Sequence, residues 1–354
     1  MSLLFEPLTL GTTTFRNRAW VAAMCQYSST DGAPNDWHLV HLGGLARGGA
    51  GLVITEATGV TAEGRISPWD AGIWTDEQAA AYEPITAFIK SQGAVPGIQL
   101  AHAGRKASTR RPWDTEHGTV PVAEGGWEAV APSAQAYPGY ATPRELTVPE
   151  IEEIVRAFGA AAARAVTAGF EVAEVHAAHG YLVHQFLSPL SNQRTDGYGG
   201  DFEGRTRLLL EVTAAVREAW PAGKPVFVRV SATDWVEGGW TAEETVEACK
   251  RLSVLGVDLI DVSTAGLDPR QKIPVGPGYQ VAFARRVREG SGLPVAAVGL
   301  ITEARQAEQV LVEGSADAVL LARAVLRNPH WPLQAAHELG DEIAWPHQYE
   351  RAKP

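Results

Sequence analysis

The stretch from Glu174 to Pro189, EVHAAHGYLVHQFLSP, places His176, His179, Tyr181 and His184 within one short segment, directly after the apolar run FEVAEV. Titratable and hydrogen-bonding side chains gathered where a buried strand ends suggest three kinds of arrangement. Two histidines chelate a metal when a carboxylate joins them. Two histidines and a phenol can polarise and protonate a bound substrate. Alternatively, the histidines are satisfied core residues with no chemistry. The choice depends on what the other elements bring to the same place.

Eight short apolar runs recur along the chain: 19–23, 51–57, 95–101, 170–176, 225–231, 257–263, 294–299 and 316–322. Their hydrophobicity is continuous rather than alternating, which suits parallel strands buried on both faces. Helical patterns lie between them. TVPEIEEIVRAFGAAAARAVTAG opens with Thr147 and Glu150 in capping-box spacing and repeats Ile151, Ile154, Val155 and Phe158 on one face. TAEETVEACKRLSVLG repeats the device with Thr241 and Glu244 and stops at Gly256. RTRLLLEVTAAVREAW and TEARQAEQVLVEG read as further helices. Strand alternating with helix predicts a single-domain (β/α)8 barrel over residues 1–354. No complete GxGxxG or GxxxxGK[ST] occurs, which counts against a doubly wound nucleotide-binding sheet. A long insertion, 102–147, follows the third strand, and its Trp113 and Trp127 suggest an ordered lid.

The chain has 354 residues and a formal net charge of -11, so nucleic acid and anionic membrane are poor partners. Two cysteines, Cys25 and Cys249, make neither a disulfide framework nor an iron–sulfur set. The N-terminus lacks a basic start followed by an apolar run, and no apolar stretch approaches the roughly 18 residues of a membrane span. The expectation is a cytoplasmic protein.

Catalytic groups of such barrels sit at the C-terminal ends of the strands. Here those ends offer Met24, Cys25 and Tyr27; Glu56 and Ala57; Gln99, then His102, Arg105 and Lys106; His176, His179 and Tyr181; Arg229; Gly299; Ala322 and Arg323. A barrel metallohydrolase would carry Asp or Glu at several of these ends. Gln99, Arg229 and Arg323 instead repel a metal and attract an anion. Gly299 and Arg323, after strands 7 and 8, suit a phosphate. No metal ligand set is expected.

AAMCQYS, QLAHAGRKAS, HAAHGYLVHQFLSPLSNQRTDGYGGDFEGR, VRVSATDW and LARAVLRNP together resemble the Old Yellow Enzyme family of FMN-dependent ene-reductases. Cys25 after Met24, and the terminal QYER, resemble its thermophilic-like (class III) branch. Ala23 stands where the family usually has Pro, and Ala322 where it usually has Gly beside the phosphate.

The resemblance implies tightly bound FMN and NADPH or NADH as hydride donor. It implies an activated alkene as substrate, an α,β-unsaturated carbonyl or nitro compound. His176 and His179 would bind the substrate oxygen, and Tyr181 would donate the proton. Ala22, Ala23, Met24, Cys25 and Ala57 would line the flavin. Gln99 and Arg229 would meet its pyrimidine edge, and Gly299, Ala322 and Arg323 its phosphate. Tyr27 would line the substrate pocket. The tail, about 329–354, would lie at the interface of a homo-oligomer, dimer or tetramer, with Arg351 completing the neighbouring site. His184 and Cys249 read as structural, and Lys106 as near the flavin or as a solvated charge. Two rivals remain at this stage: a metal-dependent barrel hydrolase using His176 and His179, and a flavin-binding protein without catalysis.

Overall fold

In a computed structural model describing residues 1–354, the chain opens with a hairpin of β1 (Leu8–Leu10) and β2 (Thr13–Phe15). Eight parallel strands then close a barrel: β3 (Ala19–Val21), β4 (Leu52–Gly59) and β5 (Val95–Ala101), and after the insertion, which holds the short pair β6 (Val130–Ala131) and β7 (Arg144–Glu145), β8 (Val172–Ala177), β9 (Val226–Ser231), β10 (Leu259–Ser263), β11 (Val295–Ala297) and β12 (Ala318–Leu321). Each lies within or close to one of the runs read from the sequence. The hairpin is an addition: its three-residue strands are too short to show a period.

The helices follow in turn: α1 (Asp36–Arg47), α2 (Asp76–Ser91), α3 (Val148–Thr167), α4 (Leu182–Leu187), α5 (Phe202–Ala219), α6 (Ala242–Val254), α7 (Val281–Ser291), α8 (Ala304–Val312), α9 (Arg323–Arg327) and α10 (Trp331–Leu339). Both capping boxes form as expected. Glu150 accepts from the Thr147 backbone N–H at 2.8 Å, and Glu244 from that of Thr241 at 3.0 Å. The apolar face of α3 buries Ile151, Ile154, Phe158 and Ala162. No helix is long and apolar enough to cross a membrane.

Inside the barrel, strand alternation sends every second side chain to the axis. The lower layers hold Trp20, Leu52, Val172, Phe227, Leu259 and Ala318, with Leu10 and Phe15 of the hairpin plugging the N-terminal end. Phe15 packs on Trp20 at 4.6 Å between ring centroids, and Trp20 stacks on Phe227 at 5.8 Å. The opposite end of the barrel is left to polar side chains and loops.

Seven non-glycine residues adopt positive φ: Tyr27, Asp31, Ser108, His179, Trp235, Ala265 and Leu300. All of them lie in segments that follow the C-terminal end of a barrel strand. Backbone strain is thus confined to the face where the barrel carries its candidate site.

Because Trp20 ties the hairpin to the interior, Trp20→Ala is expected to lower unfolding stability by about 3–5 kcal/mol. Urea titration with a backbone probe measures it.

Candidate active site

On β8, Val172, Glu174 and His176 share the inward face. His176 is buried, and its Nδ1 accepts from the Ala178 N–H at 3.3 Å, which puts the ring proton on Nε2. Beyond it the chain turns sharply at His179, φ 58°. That turn is pinned from several sides. The His179 N–H donates to Ser231 Oγ at 2.9 Å, His179 Nε2 meets Ser263 Oγ at 2.8 Å, and Lys106 Nζ donates to the His179 carbonyl at 2.9 Å. The next N–H, of Gly180, donates to His184 Nδ1 at 2.9 Å. His184 Nε2 in turn meets Asp234 Oδ1 at 2.8 Å, so His184 is structural, as expected.

The result brings three predicted residues together. The His176 ring lies 5.3 Å from that of His179 and 5.1 Å from that of Tyr181, both edge-on. Burial and the Arg229 charge hold both imidazoles well below their usual pKa, so they are neutral N–H donors. Burial pushes the Tyr181 phenol well up, so it keeps its proton.

Lys106 is not a solvated charge. Its ammonium lies over the Tyr181 ring at 5.4 Å and the Tyr137 ring at 4.6 Å, and burial lowers its pKa to about 7. The solvated alternative failed because the insertion folds over Lys106, which the sequence could not show. The insertion is ordered there. Ala103, Ala107 and Ala129 form a small cluster with Ala57, against which Cys25, Trp127 and Tyr181 pack. Trp113 meets Tyr27 edge-on at 5.4 Å.

Cys25 follows β3 beside two buried carboxylates, Glu56 and Asp70. Glu56 accepts from the Gln26 N–H at 2.9 Å and contacts His38 Nε2 at 3.0 Å. Burial, then Asp70, then Glu56 push the Cys25 thiol well up, so it stays S–H. Asp70 was not singled out in the sequence. The chain gathers its metal-ligand types here rather than around His176 and His179.

A polar quarter crosses the barrel at mid-height. Gln99 Nε2 donates to Glu174 Oε1 at 2.7 Å. Arg229 Nε lies 2.9 Å from Asp261 Oδ2, but off the N–H direction, so this is a charge contact rather than an aligned hydrogen bond. The Arg229 guanidinium donates no hydrogen bond within the chain, although it is buried; such a fork fits an anionic or carbonyl-rich ring edge. Glu174 and Asp261 lie inside buried apolar strands and escaped notice. Their one signal was a charge at an inward position of a run that is otherwise apolar.

Next to this quarter opens a cleft of about 210 Å³, lined by Ser263, Tyr279, Gln280, Gly299, Ala322 and Arg323. Arg323 is exposed at the start of α9 and lowers the pKa of Tyr279, which burial raises. Ala22 and Ala23 lie against the barrel interior, as does Ala322; a bulge in the β4–β5 pairing between Ile54 and Ala57 turns Ala57 toward the same mouth. A polar half-ring beside a cleft with a free arginine fits FMN, a heterocycle joined to a phosphate.

Arg351 is not brought to the pocket of its own chain. It sits exposed on a 3-10 turn, His347–Ala352. Tyr349 of that turn packs on His330 at 5.6 Å and under Arg47 at 5.3 Å. Arg47 ends α1, at the barrel end opposite the site.

The model of the NADH:flavin oxidoreductase / NADH oxidase family matches residues 3–342. The chain belongs to this family. It is 48% identical over 353 residues to an NADPH dehydrogenase of Geobacillus thermodenitrificans (strain NG80-2), covering 99% of this chain and 98% of the relative. An NADPH dehydrogenase of Listeria welshimeri is 46% identical over 355 residues, covering 99% of each. Among solved structures, the old yellow enzyme homologue from Zymomonas mobilis is 27% identical with a TM-score of 0.78, covering 99% of each chain. Morphinone reductase in complex with tetrahydroNAD is 29% identical with a TM-score of 0.79, covering 97% of this chain and 92% of that one. The chain is an FMN-dependent NAD(P)H oxidoreductase of the Old Yellow Enzyme type.

Gly299 takes φ 124°, and a Cβ there would meet Gln280 Nε2 at 2.8 Å. Gln280 accepts from Thr264 Oγ1 and donates to the Val298 carbonyl, so it has little room to yield. Gly299→Ala is expected to strain the cleft by about 1–3 kcal/mol and to weaken FMN retention about tenfold or more. Flavin fluorescence released on dilution reads the change.

Proposed function

We propose that the enzyme reduces the activated C=C bond of α,β-unsaturated carbonyl or nitro compounds, at the pocket formed by His176, His179, Tyr181 and Cys25. The observation that carries this reading is the His176 ring set edge-on to those of His179 and Tyr181, at 5.3 and 5.1 Å, at the mouth of the barrel, where burial favours neutral imidazoles and a protonated phenol. Bound FMN supplies the hydride relay from NAD(P)H to the alkene.

The chain's residues do the rest. Gln99 and Arg229 hold the pyrimidine edge of the flavin; Gly299, Ala322 and Arg323 hold its phosphate; Ala22, Ala23, Met24, Cys25 and Ala57 line the ring. His176 donates through Nε2–H, and His179 through Nδ1–H, in the tautomer whose Nε2 accepts from the Ser263 hydroxyl, to the substrate oxygen. Hydrogen bonds to an oxygen that gains negative charge in the transition state strengthen as the reaction proceeds. Neutral imidazoles do this without giving up a proton. The Tyr181 O–H delivers the proton to the α-carbon, the one strongly basic position created. Cys25 remains a thiol donor at the flavin rather than a nucleophile. Tyr27, braced by Trp113, bounds the substrate.

An anaerobic titration tests the whole reading. NADPH should bleach the yellow protein, and an enone should recolour it; bleaching without recolouring would leave only a flavoprotein with no alkene chemistry. Tyr181→Phe should leave bleaching almost unchanged and slow recolouring by about 10²-fold or more. Equal slowing of both steps would remove Tyr181 from the donor role.

In a homo-oligomer, Arg351 would complete the neighbouring site. Support comes from its place: exposed, at the far end of its own barrel, on a turn anchored by Tyr349. Subunits inactivated by Tyr181→Phe, mixed with subunits truncated before Tyr349, should regain activity in mixed oligomers. Mixing that restores nothing would place Arg351 outside catalysis.

A further inference from the structure

Glu174 and Asp261 are both fully buried on the inward faces of β8 and β10, the two strands that flank β9. Glu174 Oε2 and both Asp261 oxygens lack any hydrogen-bond donor, although the two carboxyls face each other within the barrel. Two bare carboxylates cannot share such a site, because like charges in low dielectric repel and each pays for lost water. One proton placed between them removes both problems: it supplies the missing donor and cancels one charge.

The charged surroundings are few. Arg229 reaches in from β9 and contacts Asp261. Gln99 on β5 is neutral and already donates to Glu174 Oε1. His176, next inward on β8, is held neutral. The remaining barrel strands contribute Ala22, Ile54, Val298 and Leu320, all apolar. Burial raises both carboxyls and Arg229 lowers both, but the Asp261 charge raises Glu174 further, to about 8, whereas a hydrogen bond from Glu174 holds Asp261 at about 6. The proton therefore resides on Glu174, which donates to Asp261.

We propose that Glu174 and Asp261 form a proton-sharing pair that acts as a positioning and charge-setting element for the bound FMN. With one proton the group of Arg229, Asp261 and Glu174 carries no net charge. With none it carries one negative charge next to the flavin edge. Reduction of the cofactor adds negative charge and so raises the pair's hold on its proton. At pH values where the pair has lost its proton before reduction, each two electrons delivered are accompanied by one further proton, taken from solvent onto Glu174. The midpoint potential then falls more steeply with rising pH across that window than on either side of it. This inference rests on the reading that Gln99 and Arg229 lie against the flavin.

The test uses FMN-loaded protein reduced by dithionite with no alkene present, so failure of the proposed alkene chemistry leaves it intact. Infrared difference spectra should show a protonated carboxyl band at neutral pH that shifts in D2O and moves on reduction. It should vanish in Glu174→Gln and be displaced in Asp261→Asn. The potential of the parent enzyme should show the steeper segment toward alkaline pH, and Glu174→Gln should lose it, because an amide has no proton to exchange. The parent measurements stand alone if either variant folds poorly. Absence of a carboxyl band in the parent would overturn the shared proton. A band that ignores reduction, with parallel potential profiles for parent and Glu174→Gln, would overturn the link to the cofactor and with it the placement of Gln99 and Arg229.

Discussion

The buried guanidinium of Arg229 is the constraint on which the rest of the site depends. A barrel interior is dry, and a charge placed there must be matched or it will not stay. Four consecutive strands answer it with Gln99, Glu174, Arg229 itself and Asp261, while the other four strands keep the same depth apolar. The polar side chains thus occupy one side of the axis only. That asymmetry gives a flat ring two different edges to meet, one apolar and one able to donate. A symmetric polar layer would offer no such orientation.

Geometry above this layer is held by redundancy rather than by any one contact. The turn at His179 is left-handed, which costs a non-glycine residue about 1–3 kcal/mol. Ser231 from β9, Ser263 from β10, Lys106 from the insertion and His184 from α4 each take one hydrogen-bonding group of this turn. Four elements over-determine two residues, His179 and Gly180. The imidazoles and the phenol are therefore set before a substrate arrives, which is what electrostatic stabilisation requires.

Much of this was legible in the sequence, and the parts that were not share a physical cause. Buried parallel strands are apolar on both faces, so their runs stood out, and Thr147 and Thr241 marked helix starts by local chemistry alone. The motif around His176 likewise carries its meaning in adjacent residues. Glu174, Asp261 and Asp70 acquire meaning only from partners brought together by closure of the barrel. Gln99 and Glu174 are 75 positions apart yet bonded. Lys106 was ambiguous for the same reason: whether water reaches it depends on where the insertion folds. The hairpin of β1 and β2 was missed because three residues cannot display an alternation.

Burial is the largest cause behind the proton inventory of the pocket. It disfavours whichever form of a group is charged. The acids, Tyr181 and Cys25, therefore keep their protons, and the carboxyl of Glu174 is pushed the same way. The bases, His176, His179 and Lys106, are pushed to give theirs up. For the imidazoles, the phenol and the thiol, both trends lead to neutral side chains that still carry N–H, O–H or S–H donors. A guanidinium is the exception, since it holds its charge even when buried. A persistent cation at this depth, Arg229, attracts an electron-rich ring edge and stabilises negative charge wherever it develops nearby. A site built from exposed lysines and carboxylates could not do this, because water would screen each charge. The chemistry of the pocket thus follows from dryness, and dryness follows from the insertion that folds across the barrel mouth.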